Sequence, residues 1–325
     1  METIGFIGLG TLGSGIAANI GKAGYPLVVH DVREEAAKPL VDQGARSAST
    51  PAEVAKLSDI TFTSLPGPAE VEEVALGVEG IVAGIKPGAF YVDLSTNSPT
   101  LIRRIGAAFG RKDARVLDAS LSGGKRGAIA GTLAVYIGGD EAGYEAIRPV
   151  LGSFGRQLTH AGALGSGAVV KLVHNMIGHV VAVGISEGLT LGTKAGVDPL
   201  VLWECLRRGG LGSLSALHLV VPEKILPGSF DTPGSMTLEL SAKDVALATE
   251  LGREFDVPLP MSNLAQQVAV RALNRGWGNR DVCTSHLLQE EAAGVEVRAP
   301  GIDPGKLARF VQYFEDPPAE GPEAD

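Results

Sequence analysis

Residues 4–22 read IGFIGLGTLGSGIAANIGK, and this stretch decides the fold of the first half of the chain. An apolar strand is predicted directly before the loop GLGTLG at residues 8–13, and a helix directly after it. Gly8 suits a tight turn, Gly10 lets a ligand approach the backbone, and Gly13 allows close packing of helix against strand. The start of the helix then offers N–H groups and its positive dipole end to phosphate. The order of strand, loop and helix therefore predicts a dinucleotide site.

Further short apolar runs repeat this pattern as far as residue 160. We predict strands at 3–7, 27–30, 60–64, 90–94, 115–119, 133–138 and 157–160. Thr50-Pro51 and Ser98-Pro99 each pair an N-cap hydroxyl with a proline at the first helical position, so helices lie between the strands. This alternation predicts an α/β fold that begins with a Rossmann-type, doubly wound parallel sheet.

The second half of the sequence has helical patterns and no clear strands. We predict helices at 166–194, 199–208, 214–226, 238–255, 260–275 and 280–292. The expected domains are a dinucleotide-binding domain at 1–164 and an all-α substrate and oligomerisation domain at 165–295. Residues 296–325, which end in PPAEGPEAD, have the composition of a mobile tail.

The composition excludes several classes of protein. Hydrophobic residues make up 45% and charged residues 20% of the 325 positions, which is typical of a globular chain. A net charge of −9 argues against nucleic-acid binding, which needs clustered Lys and Arg. Cys205 and Cys283 are far apart and lack metal-ligand spacing, so neither a disulfide nor a metal site is predicted.

The most apolar stretch is 162–192, and it includes polar residues that are costly in lipid, such as Lys171, His179 and Glu187. We therefore predict a buried helix and no membrane segment. METIGFIGLG at the N-terminus lacks the basic start of a secretory signal, which favours a cytoplasmic protein.

Asp31 ends the second predicted strand, where a carboxylate can accept both ribose hydroxyls of a dinucleotide and repel a 2′-phosphate. The sequence therefore favours NAD as the cofactor. Arg33 leaves NADP open, because a flexible guanidinium could pair with the 2′-phosphate. Its other interpretation is a solvated charge at a helix start.

Lys171, His174 and Asn175 share one face of the long predicted helix, among apolar and small residues. A lysine in such surroundings tends to lose its proton, and a lowered pKa suits a general acid/base near neutral pH. The alternative is an interdomain ion pair with a carboxylate.

Four blocks in order resemble the β-hydroxyacid dehydrogenase family, which includes 3-hydroxyisobutyrate dehydrogenase and is related to 6-phosphogluconate dehydrogenase. They are GLGTLGSGIAANIGKAG at 8–24, DLSTNSP at 93–99, DASLSGGKRGAIAGTL at 118–133 and GSGAVVKLVHN at 165–175; AKDVALA at 242–248 is a weaker fifth block. The resemblance implies hydride transfer between NAD and a small 3-hydroxy acid, in a homodimer or homotetramer.

The resemblance also implies roles for individual residues. Lys171 matches the catalytic lysine. The substrate set is Ser122, Gly123, Gly124, His174 and Asn175. The cofactor set is Gly8, Leu9, Gly10, Thr11, Leu12, Gly13, Asp31, Val32, Arg33, Leu65, Pro66, Glu70, Ser95, Thr96 and Lys243.

Three questions stay open from the sequence. His174 stands where hydroxyisobutyrate dehydrogenases carry Asn, and it could contact a substrate hydroxyl or be a core histidine. An imine reductase that uses NADPH would share the architecture, although such enzymes usually replace the lysine. A dinucleotide-binding protein without catalysis is the third alternative.

Overall fold

The computed structural model describes residues 2–209, 211, 221, 224–233, 236–254, 256–294 and 296–298. The described strands are β1 Ile4–Ile7, β2 Leu27–His30, β3 Arg46–Ser47, β4 Ile60–Thr63, β5 Phe90–Asp93, β6 Arg115–Ser122, β7 Leu133–Gly138 and β8 Gly155–Gly162. The described α-helices are α1 Gly13–Lys22, α2 Glu34–Val41, α3 Pro51–Leu57, α4 Pro68–Leu76, α5 Ile81–Gly84, α6 Pro99–Gly110, α7 Gly124–Ala130, α8 Glu141–Leu151, α9 Ser166–Lys194, α10 Pro199–Arg208, α11 Leu238–Glu254, α12 Pro260–Leu273 and α13 His286–Ala293, with a 3-10 helix at Val282–Ser285.

The strands form one sheet in the order β3-β2-β1-β4-β5-β6-β7-β8, which confirms the α/β fold expected from the sequence. β1 to β6 are parallel, with Phe6 beside Val29 on one side and Phe62 on the other. Inward side chains alternate along each strand: Phe6 and Val29 join one buried cluster, and Ile7 and Val28 join a second cluster. Helices therefore cover both faces, which explains why the strands are apolar throughout.

One pairing departs from the predicted parallel arrangement, because β7 runs antiparallel to β6. The connection between them, residues 123–132, is shorter than the dozen or so residues that a parallel crossover needs. The same pairing extends β6 to Ser122, beyond its predicted end at residue 119. β3 is a two-residue strand that the sequence pattern does not reveal.

The chain divides into two compact units, Met1–Ile177 and Gly178–Asp325. This division falls within α9, and the expected boundary at 164/165 lies just before that helix. Most of the predicted helix 214–226 and of the predicted tail 296–325 lies outside the described residues. In the described part of the chain, no helix is both long and apolar enough to cross a membrane.

The expectation that α9 is buried is wrong for much of its apolar surface. Val169, Leu172 and Val173 are each exposed by more than 40%. A helix that is apolar on most sides is predicted from its sequence to be buried. The sequence of the helix does not show, however, whether other elements pack against every side of it. Glu187, on the same helix, is buried and accepts N–H bonds from Met261 and Ser262 at the start of α12.

Phe62 is fully buried at the centre of the sheet, stacked on Phe6 and edge-on to Phe154. We expect Phe62→Ala to lower the free energy of unfolding by about 3–5 kcal/mol, because it removes an aromatic side chain and leaves a cavity. Urea unfolding followed by circular dichroism measures this. Val78→Ala, at a side chain that is 95% exposed, is the control, and an equal loss in both variants would contradict the prediction.

Candidate active site

A groove of about 800 Å³ opens at the carboxyl ends of β1, β2 and β4, where the strand order reverses between β1 and β4. Parallel α/β sheets hold nucleotides at such a point. The residues of the predicted cofactor set that line it are Gly8, Gly10, Thr11, Leu12, Gly13, Asp31, Val32, Arg33, Leu65, Pro66 and Glu70. Leu9 differs, because its side chain is buried in the core.

The glycines of the loop meet the spatial demands that the sequence suggests. Gly8 has a φ of +92°, which favours glycine. A Cβ at Gly13 would overlap the carbonyl oxygen of Gly8, so any side chain there would push α1 away from β1. By contrast, among the described residues no neighbouring atom lies within 4 Å of the Cβ position of Gly10, which leaves the backbone open to a ligand.

Asp31 connects the end of β2 to the glycine loop. Its Oδ2 accepts the N–H of Leu9 at 2.7 Å, and its Oδ1 accepts the N–H of Arg33 at 2.9 Å and Nε of Arg33 at 3.3 Å. Burial alone would raise the pKa of Asp31, but the hydrogen bonds from Arg33 and Leu9 outweigh burial and hold the pKa below its ordinary value. The group is therefore a carboxylate at neutral pH, and it faces the groove.

We expect Asp31→Asn to weaken NAD binding about 10-fold and to shift the NAD/NADP affinity ratio toward NADP by about 10- to 100-fold, since charged hydrogen bonds contribute roughly 1.5–3 kcal/mol. Fluorescence titration with NADH and NADPH measures both values. The wild-type preference should persist down to about pH 5, because the pKa of Asp31 is lowered. Asp42→Asn, at an exposed carboxylate, is the control; an unchanged ratio in Asp31→Asn would refute the assignment.

A second cavity, of about 240 Å³, adjoins the groove and shares Leu12, Leu65 and Pro66 with it. It brings together seven residues of the predicted set: Ser95, Thr96, Ser122, Gly123, Gly124, Lys171 and Asn175. These come from the ends of β5 and β6 and from the second and third turns of α9. All of them lie within the first compact unit.

Lys171 is half-buried at this cavity, and desolvation lowers its pKa. None of the described carboxylates forms an ion pair with it, so the described residues give no support to the ion-pair alternative. A lysine with a lowered pKa can hold or release a proton nearer to neutral pH than an exposed one.

Asp118 fixes the start of the helix that carries Lys171. Its carboxylate accepts the N–H groups of Gly165 and Ala168, both at 2.7 Å, and it is almost fully buried in β6. Burial raises the pKa of Asp118, and the two N–H bonds oppose that rise. Because Ala168 lies one helical turn before Lys171, this contact sets the position of the lysine backbone.

Asp93 organises the loop after β5 in a similar way. This buried carboxylate accepts the hydroxyl of Thr63 at 2.9 Å, the N–H of Ser95 at 3.0 Å and the amide of Asn97 at 2.9 Å. The hydroxyl oxygen of Ser95 in turn accepts the N–H of Leu65 at 2.9 Å. The loops after β4 and β5, which line the small cavity, are thus held in one network.

We expect Asp93→Ala to lower the free energy of unfolding by about 3 kcal/mol and to weaken NADH binding, because the buried N–H of Ser95 and amide of Asn97 lose their acceptor and Thr63 keeps only the hydroxyl of Tyr91. Thr63→Val removes one arm of the network together with the bond to the buried hydroxyl of Tyr91, and should cost about 1–3 kcal/mol. Urea unfolding and NADH titration measure the two effects. Equal stability of Asp93→Ala and wild type would show that the network does not hold the loops.

Besides Leu9, two predicted residues lie outside both cavities. His174 is exposed, with Nδ1 3.3 Å from Oδ1 of Asn175 and its ring 6.2 Å from that of Tyr136, so it is not a core histidine. Lys243 is exposed on α11, in the second compact unit.

The predicted site residues do not include Asp93, Asn97, Asp118 and Thr63, although the first three lie within the quoted blocks at 93–99 and 118–133. A signal was present in two of them: Asp93 and Asp118 are acids in otherwise apolar strands, FYVD and VLDAS. A carboxylate that must be buried needs several hydrogen-bond donors, so such a position predicts a local network.

Comparisons with known proteins agree with this geometry. The family profile described as the NAD binding domain of 6-phosphogluconate dehydrogenase matches residues 3–162. The profile described as NAD-binding of NADP-dependent 3-hydroxyisobutyrate dehydrogenase matches residues 165–287.

Several relatives match along nearly their whole length. The chain is 36% identical to 2-(hydroxymethyl)glutarate dehydrogenase of Eubacterium barkeri over 294 residues, which is 90% of this chain and 97% of that protein. It is also 36% identical to the NAD-dependent L-serine dehydrogenase of Pseudomonas aeruginosa, over 90% of this chain and 100% of that protein. The solved structure of Mycobacterium tuberculosis 3-hydroxyisobutyrate dehydrogenase with L-serine is 26% identical, with a TM-score of 0.61, and the match covers 89% of this chain and 99% of that one.

Proposed function

Because this chain belongs to the β-hydroxyacid dehydrogenase family, we propose that it uses NAD to oxidise a small 3-hydroxy acid, with Lys171 as the general acid/base. The protein is an NAD-dependent oxidoreductase that acts on CH–OH groups. The observation that carries the finer proposal is the half-buried Lys171 in one cavity with the Ser122–Gly124 loop, next to the nucleotide groove.

In this proposal the substrate occupies the small cavity and its carboxylate is bound by the Ser122–Gly124 loop. Gly123 and Gly124 both have positive φ, so the loop turns sharply, and the absence of side chains lets an anion approach its N–H groups. The amide of Asn175, one helical turn after Lys171, donates a hydrogen bond that orients the substrate.

Lys171 then handles the proton of the reacting oxygen. In oxidation its neutral amine takes the hydroxyl proton while the C–H bond breaks, and in reduction its ammonium returns the proton to the carbonyl oxygen. Bound NAD supplies the hydride acceptor. Ser95, Thr96 and Leu65, which the Asp93 network holds in place, position the nicotinamide beside the cavity.

The test is NADH formation with a panel of short hydroxy acids: 3-hydroxyisobutyrate, serine, glycerate, 4-hydroxybutyrate, threonate and 2-(hydroxymethyl)glutarate. We expect turnover with at least one of them and NAD. Silence across the panel, together with reduction of a cyclic imine by NADPH, would overturn the proposal.

We expect Lys171→Met to lower kcat by about 10²- to 10⁴-fold and to leave NADH affinity within about twofold, because proton transfer is lost and cofactor contacts remain. Lys194→Met, at an exposed lysine near the other end of α9, is the matched control. Steady-state kinetics and NADH titration separate the two effects.

The rates of oxidation and reduction should change with pH in opposite directions. Oxidation needs the neutral amine, so its rate should rise with pH and level off below the ordinary pKa of lysine, since desolvation lowers the pKa of Lys171. Reduction needs the ammonium and should fall over the same range. An oxidation rate that keeps the same limb in Lys171→Met would assign the proton transfer to another group.

A further inference from the structure

Helices α1 and α7 pack against each other. The Cβ position of Gly15 lies 3.1 Å from the carbonyl carbon of Ala128, so a side chain there would crowd α7. Four residues later, Nδ2 of Asn19 donates to the carbonyl oxygens of Ala128 at 2.8 Å and Ile129 at 3.3 Å. It also lies 3.6 Å from the Cβ position of Gly131. Gly15 and Asn19 thus both contact the last turn of α7, and Asn19 reaches further, to Ile129 and the position beside Gly131.

One turn earlier in both helices, the same packing leads to the glycine loop. Leu12, at the start of α1, lines the small cavity with Gly123 and Gly124, at the start of α7. Lys125 precedes Ala128 by three residues and Ile129 by four, so it lies on the flank of α7 that faces α1. Its position is thus beside the N-terminal end of α1, where the loop at residues 8–13 offers N–H groups.

The charged residues that line the groove do not provide an unpaired cation near the N-terminal end of α1 in the described part of the chain. Arg33 provides positive charge in the groove lining but is paired with Asp31, at the ribose end. Asp31, Glu70 and Glu73 provide negative charge in the same lining. Lys125 is exposed and forms no ion pair or hydrogen bond with the described residues.

We propose that Lys125 is a phosphate-binding residue whose ammonium pairs with the diphosphate of the dinucleotide at the glycine loop. The flexible four-carbon stem of lysine lets a point charge reach an anion from the neighbouring helix. The loop supplies directional N–H donors, and Lys125 offsets the repulsion between the diphosphate and the acids of the groove. Because the diphosphate belongs to the cofactor, this role of Lys125 does not depend on which hydroxy acid is the substrate.

The test compares Lys125→Gln with Arg126→Gln, in the full chain. Arg126 is also exposed, but it lies about 100° further round α7, away from α1. We expect Lys125→Gln to raise the Kd of NADH about 10-fold at low ionic strength and to flatten its salt dependence. Arg126→Gln should stay within about twofold of wild type. ADP-ribose, which carries the diphosphate, should lose affinity in the same way, whereas adenosine should not.

Other outcomes overturn the proposal in distinguishable ways. Wild-type affinity for NADH and ADP-ribose in Lys125→Gln would remove the residue from cofactor binding. A raised KM for the hydroxy acid at unchanged Kd for NADH would assign the cation to the substrate instead. An equal loss in both variants would indicate a general charge effect. Lys125→Arg, which keeps the charge, should retain most of the affinity, so a full loss there would also count against the pairing.

Discussion

Gly13 lies so close to the carbonyl oxygen of Gly8 that no side chain fits between them, and this contact lets α1 begin where β1 ends. The rest of the site depends on that placement. With α1 in position, the backbone at Gly10 is open to a ligand and the N–H of Leu9 reaches Asp31. The next turns of α1 then come close enough to α7 for Asn19 to bond its carbonyl oxygens. One contact between backbone and glycine therefore places both the nucleotide groove and the neighbouring helix.

Two buried carboxylates, Asp93 and Asp118, then give the small cavity its shape. Taking a carboxylate out of water is costly. N–H and O–H donors offset that cost at Asp93 and two N–H groups offset it at Asp118, and none of the described cations bonds directly to either carboxylate. The donors belong to loops and to a helix start, so satisfying the carboxylate also fixes those segments. Carboxylates that are fixed in the strands of the sheet thus hold the loops at its edge in one conformation.

Local patterns were sufficient to predict seven of the eight strands, the glycine loop, Asp31 and the place of Lys171 on a helix, because each follows a spacing rule within a few residues. Long-range contacts were not predictable in this way. Asn19 and Ala128 are distant in the chain, and no local pattern links them. The antiparallel pairing of β7 depends on the length of the connection between β6 and β7. β3 has only two residues, which is too short to show the alternation of apolar and polar side chains that marks a strand. His174 shares a helical face with Lys171 in projection, yet its side chain is exposed and stays outside the cavity lining.

The hydrogen bonds of Asp118 also determine which helix start is available to bind an anion. A helix start attracts negative charge only while its N–H groups remain unsatisfied, and those of Gly165 and Ala168 at the start of α9 are already bonded to Asp118. The first turn of α1 has neither a side-chain cap nor an acidic residue. The positive end of the α9 dipole is therefore neutralised by Asp118, whereas the positive end of the α1 dipole remains available to an anion. A diphosphate that enters the groove is therefore attracted to the start of α1, and the start of α9, the helix that carries Lys171, does not compete for it.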